Sequence, residues 1–147
     1  APALTRRSSF GFWTPIPVQW RDQDAFGHVN NAVYYAYIDT AIGTYVTTRG
    51  TSWFASARPY VARSSCEYLA PISFPATVEA GICTSRVGRS SVTWHVGLFR
   101  GDVPCAVGEF VHVFVDPATE RPMQIPAPVR SAADELLIDL AASEGVE

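Results

Sequence analysis

The chain has 147 residues, of which 48% are hydrophobic and 17% are charged, so it suits one folded domain and not a disordered segment. All 11 basic residues are arginine, which excludes lysine Schiff-base chemistry, pyridoxal phosphate attachment and the phosphate-binding lysine of a P-loop. The net charge is −3, but the acids are concentrated at the end, and residues 1–130 hold 11 arginines and nine acids, a balance of +2. A body this weakly basic argues against nucleic-acid binding.

The cysteines and the hydropathy pattern indicate the cellular location to be expected. The three cysteines, Cys66, Cys83 and Cys105, form no C-x-x-C pair, and this odd number favours reduced thiols. No apolar run approaches the roughly 18 residues of a membrane span, and no signal-peptide pattern is visible. We therefore expect a cytoplasmic protein with no membrane partner.

The chain begins with an irregular stretch and then a strand pattern. Residues 1–14 show no clear period and predict a loose N-terminal arm with aromatic residues that dock, ahead of a single domain at 15–147. Residues 16–21 alternate apolar and polar side chains, which predicts a strand, and Pro17 indicates a sheet edge or the start of that strand.

A long helix follows a polar stretch. Its apolar stripe recurs with helical spacing at Val33, Tyr34, Tyr37, Ile38, Ala41, Ile42, Tyr45 and Val46. Asp39 is the only charge in this pattern, so the helix is expected to be buried on most sides. Gly43 interrupts it and predicts a closely packed neighbour at that point. Asn30 or Asn31 is a candidate N-cap, and Gly50 a candidate stop.

Four strand patterns and a final helix complete the chain. Short turns separate the strands and imply antiparallel pairing of residues 59–69, 77–87, 91–99 and 103–115. A proline-rich connector then leads to a predicted helix with a capping pair, Ser131 and Asp134, and an apolar stripe at Leu136, Leu137, Leu140 and Ala141. A curved five-stranded antiparallel sheet wrapped around the long helix buries one face of each, so the predicted class is α+β.

The polar segment ahead of the long helix holds the residues that suggest chemistry. It reads W-R-D-Q-D-A-F-G-H-V-N-N at residues 20–31. The start of a helix offers unpaired N–H groups and a positive dipole end, which can polarise a carbonyl or hold an oxyanion. A nearby carboxylate can act as base or nucleophile. These are the minimum parts for cleaving an activated acyl group.

The pattern D-x-D-x-x-G-H-V-N-N-x-x-Y-x-x-Y resembles the hotdog-fold acyl-CoA thioesterases, in the branch that contains 4-hydroxybenzoyl-CoA thioesterase. Three later segments, E-Y-L-A-P at 67–71, V-G-R-S-S-V at 87–92 and E-F-V-H-V-F-V-D-P-A-T-E-R-P at 109–122, resemble that family's later strands and turns. The resemblance covers about residues 16–130. It implies a hotdog fold, hydrolysis of an acyl-CoA thioester, no cofactor beyond the CoA of the substrate, and a homodimer or homotetramer with sites between subunits.

The resemblance also assigns the catalytic positions. Asp24 occupies the position of the catalytic carboxylate and Asp22 a structural one, while the backbone N–H of Asn31 would polarise the thioester carbonyl. His28 and Asn30 stand where the 4-hydroxybenzoyl enzyme has apolar residues. Whether Asp24 activates water alone or with help from these two therefore stays open.

Further residues are assigned to substrate contacts. Tyr34 would line the acyl pocket, with core packing as the alternative, and Arg89 and Ser90 would contact the CoA phosphates, with a solvated turn as the alternative. Glu67 and Asp39 are reserve candidates for the base.

Other functions stay open at this stage. The chain could cleave acyl-carrier-protein esters, or bind acyl-CoA without cleaving it. Hydratase chemistry would need an Asp–His pair of different spacing. A zinc site is not expected, because His28, His95 and His112 lack ligand spacing, and the last two are predicted to be structural.

Overall fold

The chain folds into one antiparallel sheet with a long helix against one face. The computed structural model describes residues 4–50 and 56–141. In chain order the elements are β1 (Phe12–Pro17), α1 (Val33–Thr48), β2 (Arg58–Tyr68), β3 (Thr77–Val87), β4 (Ser91–Arg100), β5 (Val103–Val115) and α2 (Ala127–Glu135), with short 3-10 turns at Arg7–Ser9 and Trp20–Asp22. The strand order β1-β3-β4-β5-β2 and the central α1 confirm the predicted hotdog architecture.

Helix α1 lies against the sheet through a tightly packed apolar core. Its buried stripe agrees with the predicted one except at Val33, which is half-buried, and Ile38 at its centre is fully buried. The close approach occurs at Gly108 of β5, where an added Cβ would lie 2.2 Å from the Cδ1 atom of Ile38. The prediction of a close neighbour at Gly43 is wrong, since among the described residues no atom outside the adjoining helix backbone lies within 4 Å of a Cβ built there. Gly50 ends the helix with a positive φ of 71°, as predicted.

Strand β1 lies earlier than the sequence pattern indicated. It ends at Pro17, and Trp20 and Arg21, which were predicted to belong to the strand, lie in the 3-10 turn, so Trp20 is 74% exposed instead of buried. The N-terminal residues before β1 pack on the sheet face opposite α1. Phe10 lies directly over Gly81 and Gly97, where an added Cβ would come within 2.8 and 2.7 Å of its side chain. Because these two glycines have no side chains, the Phe10 ring can pack directly on the sheet.

The final helix also differs from the prediction. Helix α2 lies within the proline-rich connector, and the predicted capping pair, Ser131 and Asp134, is inside it. Pro128 is tolerated because the first helical turn has no use for its missing N–H. Leu137 instead forms an isolated bridge to Thr84 of β3, and the Ile138 N–H donates to the Thr84 carbonyl at 2.9 Å.

The two edges of the sheet are not equivalent. β1 carries Pro15 and Pro17, which cannot donate hydrogen bonds to another strand. β2, at the other edge, has no proline in residues 60–68 and is exposed along nearly its whole length. β2 is therefore the edge suited to pairing with another chain. In residues 4–50 and 56–141, no helix is long and apolar enough to cross a membrane.

Candidate active site

The D-x-D-x-x-G-H-V segment folds into a small closed hairpin between β1 and α1. Gln23 and Val29 form an antiparallel bridge, and the Asp24 N–H donates to the His28 carbonyl at 2.8 Å. Gly27 takes a φ of 81°, a conformation in which other residues are strained. The spacing of the motif thus reflects a tight loop that brings Asp24 and His28 together.

Asp22 ties this loop to the helix. Its carboxylate accepts hydrogen bonds from the Gln19 N–H at 2.8 Å and from the Tyr37 hydroxyl at 2.6 Å. Its carbonyl accepts the Asn30 N–H at 2.9 Å. Burial, and then the hydrogen bond to Asp22, raise the pKa of Tyr37 well above its ordinary value. These bonds agree with the structural role predicted for Asp22.

Asp24 is half-buried and keeps part of its carboxylate unengaged. One oxygen, Oδ1, accepts the Phe26 N–H at 2.8 Å, and the other has no hydrogen-bond donor among the described residues. The loop is open to solvent at its tip, where the Phe26 side chain is 86% exposed.

The turn before α1 leaves the backbone N–H of Asn31 without an acceptor among the described residues. Asn30 closes the first turn, because its Oδ1 accepts the Ala32 N–H and its carbonyl accepts the Val33 N–H, both at 2.9 Å. The N-cap of α1 is Ala32, which makes no side-chain cap bond, so the prediction of Asn30 or Asn31 as the N-cap is wrong, and the Asn30 side chain instead closes the turn just before the helix. The Asn31 N–H has no acceptor in the described part of the chain, whereas its carbonyl accepts the Tyr68 hydroxyl at 2.8 Å. A free N–H at this end can donate a hydrogen bond to the carbonyl oxygen of a substrate.

A groove opens beside this turn. It has a volume of about 290 Å³ and is lined by His28, Tyr34, Tyr68, Leu69, Ala70 and Pro71. Tyr34 is 4% exposed, meets Tyr68 edge to face at 4.9 Å between ring centroids, and has its pKa raised, chiefly by burial. The role of Tyr68 was missed in the sequence, because its contact with α1 joins segments 37 residues apart. Asp24 does not line the groove.

Arg89 and Ser90 lie far from this groove. They sit in the turn between β3 and β4, and β4 has ten residues, a length of about 33 Å. The turn adjoins α2, which packs on the C-terminal end of α1 through the bond from the Tyr45 hydroxyl to the Ala132 carbonyl. The loop and the start of α1 thus hold Asp24, His28, Asn30, Asn31 and Tyr34 at one end of the fold, whereas Arg89 and Ser90 lie at the opposite end.

The remaining candidates are separate from the groove. His95 and His112 are buried in the sheet, and burial lowers the pKa of both, that of His112 to about 4. Glu67 follows the strand alternation and faces away from the side on which Tyr68 contacts α1, and Asp39 is exposed on α1. Within residues 4–50 and 56–141, no cluster of three or more His, Cys, Asp or Glu residues could hold a metal ion.

Known proteins share this fold and much of this sequence. A family model described as the thioesterase-like superfamily matches residues 18–133. The solved PA5185 protein of Pseudomonas aeruginosa strain PAO1 is 40% identical, with a TM-score of 0.84, and the match covers 90% of this chain and 95% of that one. A Thermus thermophilus thioesterase, solved with coenzyme A and Zn, is 31% identical, with a TM-score of 0.74 and coverage of 84% and 98%.

A further relative is the YsmA protein of Bacillus subtilis strain 168, which is 30% identical over 111 residues, 74% of this chain and 76% of YsmA. The family match spans most of the chain, and the loop, groove and helix start described above lie within it. The chain therefore belongs to the thioesterase-like superfamily and is a hotdog-fold thioester hydrolase.

Proposed function

We propose that this protein hydrolyses an acyl-CoA thioester to a free carboxylic acid and CoA. The observation that carries the proposal is the unengaged Asn31 N–H at the start of α1, beside an open groove and the Asp24 loop. The coenzyme A bound to the Thermus thermophilus relative supports a CoA ester as substrate.

The proposed step uses groups of the chain itself and no cofactor beyond the CoA of the substrate. The thioester oxygen accepts a hydrogen bond from the Asn31 N–H, which stabilises the negative charge that develops as the carbonyl is attacked. The free oxygen of Asp24 either takes a proton from the attacking water or attacks the carbonyl carbon itself. Both routes add one water, break the C–S bond and release the thiol with a proton.

The other residues of the loop and groove would shape this step. His28 is exposed on the groove and would orient the thioester or the water. Asn30 would act through the turn that it closes, which fixes the Asn31 N–H. Tyr34 would form a wall of the acyl pocket, and its buried position leaves only part of the ring surface for that contact.

We propose that the complete site forms between two copies of the chain. The Tyr68 end of β2 is bonded to Asn31, while the Arg58 end pairs with Val115 of β5, next to the turn that holds Ser90. If two β2 edges pair antiparallel about a twofold axis, the Arg58 end of one lies beside the Tyr68 end of the other. The Arg89 turn of a second copy then approaches the groove of the first.

The oligomeric state tests this arrangement directly. Light scattering during gel filtration is expected to give about twice or four times the 16.0 kDa chain mass. Val61→Arg places a charge on the exposed β2 edge and is expected to give monomers without thioesterase activity, while Val103→Arg, at a similarly exposed valine outside this edge, is the control. A wild-type protein that is an active monomer would contradict the shared site.

The substrate class is tested by following free-thiol release. Acyl-CoAs of varied chain length and aromaticity are compared with the same acyl groups on an acyl carrier protein. We expect turnover of at least one CoA series and weaker turnover of carrier esters, because the slightly positive body offers an acidic carrier little to bind. Preference for the carrier esters would favour an acyl-carrier-protein thioesterase, and binding of CoA esters without any cleavage would favour a non-catalytic module.

The proposed function also includes a cellular location and a set of binding partners. The three cysteines are free thiols, which is consistent with the proposed cytoplasmic location. We propose small-molecule acyl-CoA as the partner, in a homodimer or homotetramer, with neither nucleic acid nor membrane as a ligand.

A further inference from the structure

We propose that Tyr68 of β2 is a positioning residue for thioester cleavage. Its hydroxyl holds the Asn31 carbonyl and so fixes the direction in which the Asn31 N–H meets the thioester oxygen. Tyr68 acts through this turn and not on the reacting atoms. The inference rests on the proposed acyl-CoA hydrolysis and deepens it, because it adds a residue from a strand outside the loop that holds Asp24.

The peptide unit between Asn31 and Ala32 is held at both of its polar groups. Its carbonyl accepts the Tyr68 hydroxyl at 2.8 Å, and its N–H, which belongs to Ala32, donates to Asn30 Oδ1 at 2.9 Å. A peptide unit is planar, so bonds on its two opposite sides fix how the whole unit is turned. Among the described residues, loss of the Tyr68 bond would leave this unit with the Asn30 side chain as its one partner.

The Asn31 N–H belongs to the preceding peptide unit, whose direction depends on the one just described. That preceding unit is bonded through the Asn30 carbonyl, which accepts the Val33 N–H at 2.9 Å. The two units meet at the Cα atom of Asn31, and only two soft backbone torsions join them. Because Tyr68 fixes the second unit, the Asn31 N–H has little freedom of rotation.

Tyr68 is itself anchored to the sheet and to α1. Directly after it, the N–H groups of Leu69 and Ala70 donate to the Cys105 carbonyl at 2.8 and 3.1 Å. Its ring meets the buried Tyr34 ring edge to face. Burial is the main cause that raises the pKa of Tyr68 to about 12, so the hydroxyl keeps its proton at neutral pH. The donor is therefore in place before a substrate arrives, and little ordering is lost on binding.

The bond between Tyr68 and Asn31 lies at the wall of the groove. Tyr68 is 46% exposed and lines the groove together with His28. An acyl group in the groove would exclude water from this hydroxyl, and a hydrogen bond away from water is electrostatically stronger. The charge on the thioester oxygen is larger in the transition state than in the bound substrate. A misdirected N–H is therefore expected to lower kcat more than it raises KM.

The first test compares Tyr68→Phe with Tyr60→Phe in thioester cleavage. Tyr68→Phe keeps the ring and its contact with Tyr34 and removes only the hydroxyl. We expect its kcat to fall about tenfold with little change in KM, which is less than the roughly 10²–10³-fold cost of losing an oxyanion donor, since the N–H itself remains.

Tyr60→Phe is the matched control. Tyr60 lies in the same strand and is 44% exposed, close to the exposure of Tyr68, and its hydroxyl has no hydrogen-bond partner among the described residues. Its substitution is expected to leave kcat and KM unchanged.

Infrared difference spectroscopy separates positioning from a structural role. The thioester carbonyl of an acyl-CoA, isotope-labelled at that carbon, is observed bound to the Asp24→Asn protein, in which turnover is slow. A hydrogen bond from the Asn31 N–H lowers the carbonyl stretching frequency. Adding Tyr68→Phe is expected to raise this frequency toward that of the same ester in a solvent without hydrogen-bond donors, and adding Tyr60→Phe is expected to leave it unchanged.

A second substitution serves if Tyr68→Phe does not fold. Difluorotyrosine at position 68, with both fluorines beside the hydroxyl, keeps the ring and the hydroxyl but makes that hydroxyl more acidic. An ionised hydroxyl cannot donate to the Asn31 carbonyl, so the kcat of this protein is expected to fall relative to wild type as the pH rises above neutral. Parallel pH profiles of kcat for the two proteins would refute the positioning role.

Three other results would also overturn the role of Tyr68. The first is a kcat of Tyr68→Phe equal to that of wild type, the second is an equal fall in Tyr60→Phe, and the third is a lower kcat with an unchanged carbonyl frequency. Each of these refutes this inference alone while wild type still cleaves acyl-CoA. If wild type neither binds nor cleaves any acyl-CoA, the proposed function fails and this inference fails with it.

Discussion

Lowering the pH from 7 to 5 is expected to destabilise the fold through His112. This side chain lies in β5 with 5% exposure, and its ring packs at 6.3 Å from Trp94 and 6.2 Å from Phe110 between centroids. Burial in this apolar setting lowers the pKa of His112 to about 4, because the imidazolium would lose its hydration. In the unfolded chain the pKa of a histidine is about 6.5.

The size of the effect follows from these two values. The pKa is lower in the folded state, so the stabilising contribution of neutral His112 is complete above about pH 6.5 and is lost as the pH falls toward 4. Between pH 7 and pH 5 the unfolded state gains a proton that the folded state does not bind. The loss in the free energy of unfolding is about 2 kcal/mol for this residue alone.

Urea unfolding at pH 7 and pH 5 measures this loss at a fixed protein concentration. Wild type is expected to lose about 2 kcal/mol more than His112→Gln, whose side chain does not titrate. His28→Gln, at an exposed histidine, is the matched control and is expected to behave like wild type. An equal loss in His112→Gln and wild type would refute the account, whatever the absolute stability of the variant.

Two further predictions concern packing and positioning. Tyr37→Phe removes the bond to the Asp22 carboxylate and is expected to lower stability by about 1.5–3 kcal/mol and to lower kcat. Tyr45→Phe removes a bond to a backbone carbonyl instead and should leave kcat unchanged, so an equal kcat loss in both would contradict the positioning role. Gly108→Ala is expected to destabilise by about 1–3 kcal/mol in urea unfolding, because its Cβ would overlap Ile38. Ile38→Val in the Gly108→Ala background should regain part of this loss, and the absence of recovery would place the strain elsewhere.

The central elements could be predicted because their patterns are local. The strand patterns from residue 59 to residue 115, and the apolar stripe of α1, are each carried by residues close together in the chain. The ends of the chain could not be predicted in the same way. Phe10 is buried because Gly81 and Gly97, which are distant in sequence, leave room for it. Helix α2 begins among prolines that the sequence pattern indicated as a connector, because Pro128 is accepted in its first turn.

Some residues of the candidate site could likewise be predicted from the sequence, and others could not. Asp24, His28, Asn30 and Asn31 lie within eight residues, so one motif indicated them together, and the closed loop explains its spacing. Tyr68 lies in the E-Y-L-A-P segment, where the sequence indicates no role for it, because its hydroxyl bond to Asn31 forms only when β2 meets the start of α1.

Contacts at the other end of the molecule were even harder to predict from the sequence. The bond from Arg130 to Gly88 joins residues 42 apart, and no spacing rule in the sequence predicts it. The separation of Arg89 from Asp24 likewise follows from the direction of β4 and becomes visible only in the assembled sheet. That separation is the reason for proposing a site shared by two subunits.

The most direct test of the account is the kcat of Asp24→Asn on the best acyl-CoA substrate. Asparagine keeps an oxygen that can accept the Phe26 N–H, so the loop is expected to stay closed while the base or nucleophile is lost. We predict that kcat falls by about 10²–10⁴-fold. Asp39→Asn and Glu67→Gln, at the two reserve carboxylates, are expected to retain activity. An Asp24→Asn enzyme as active as wild type would contradict the central claim.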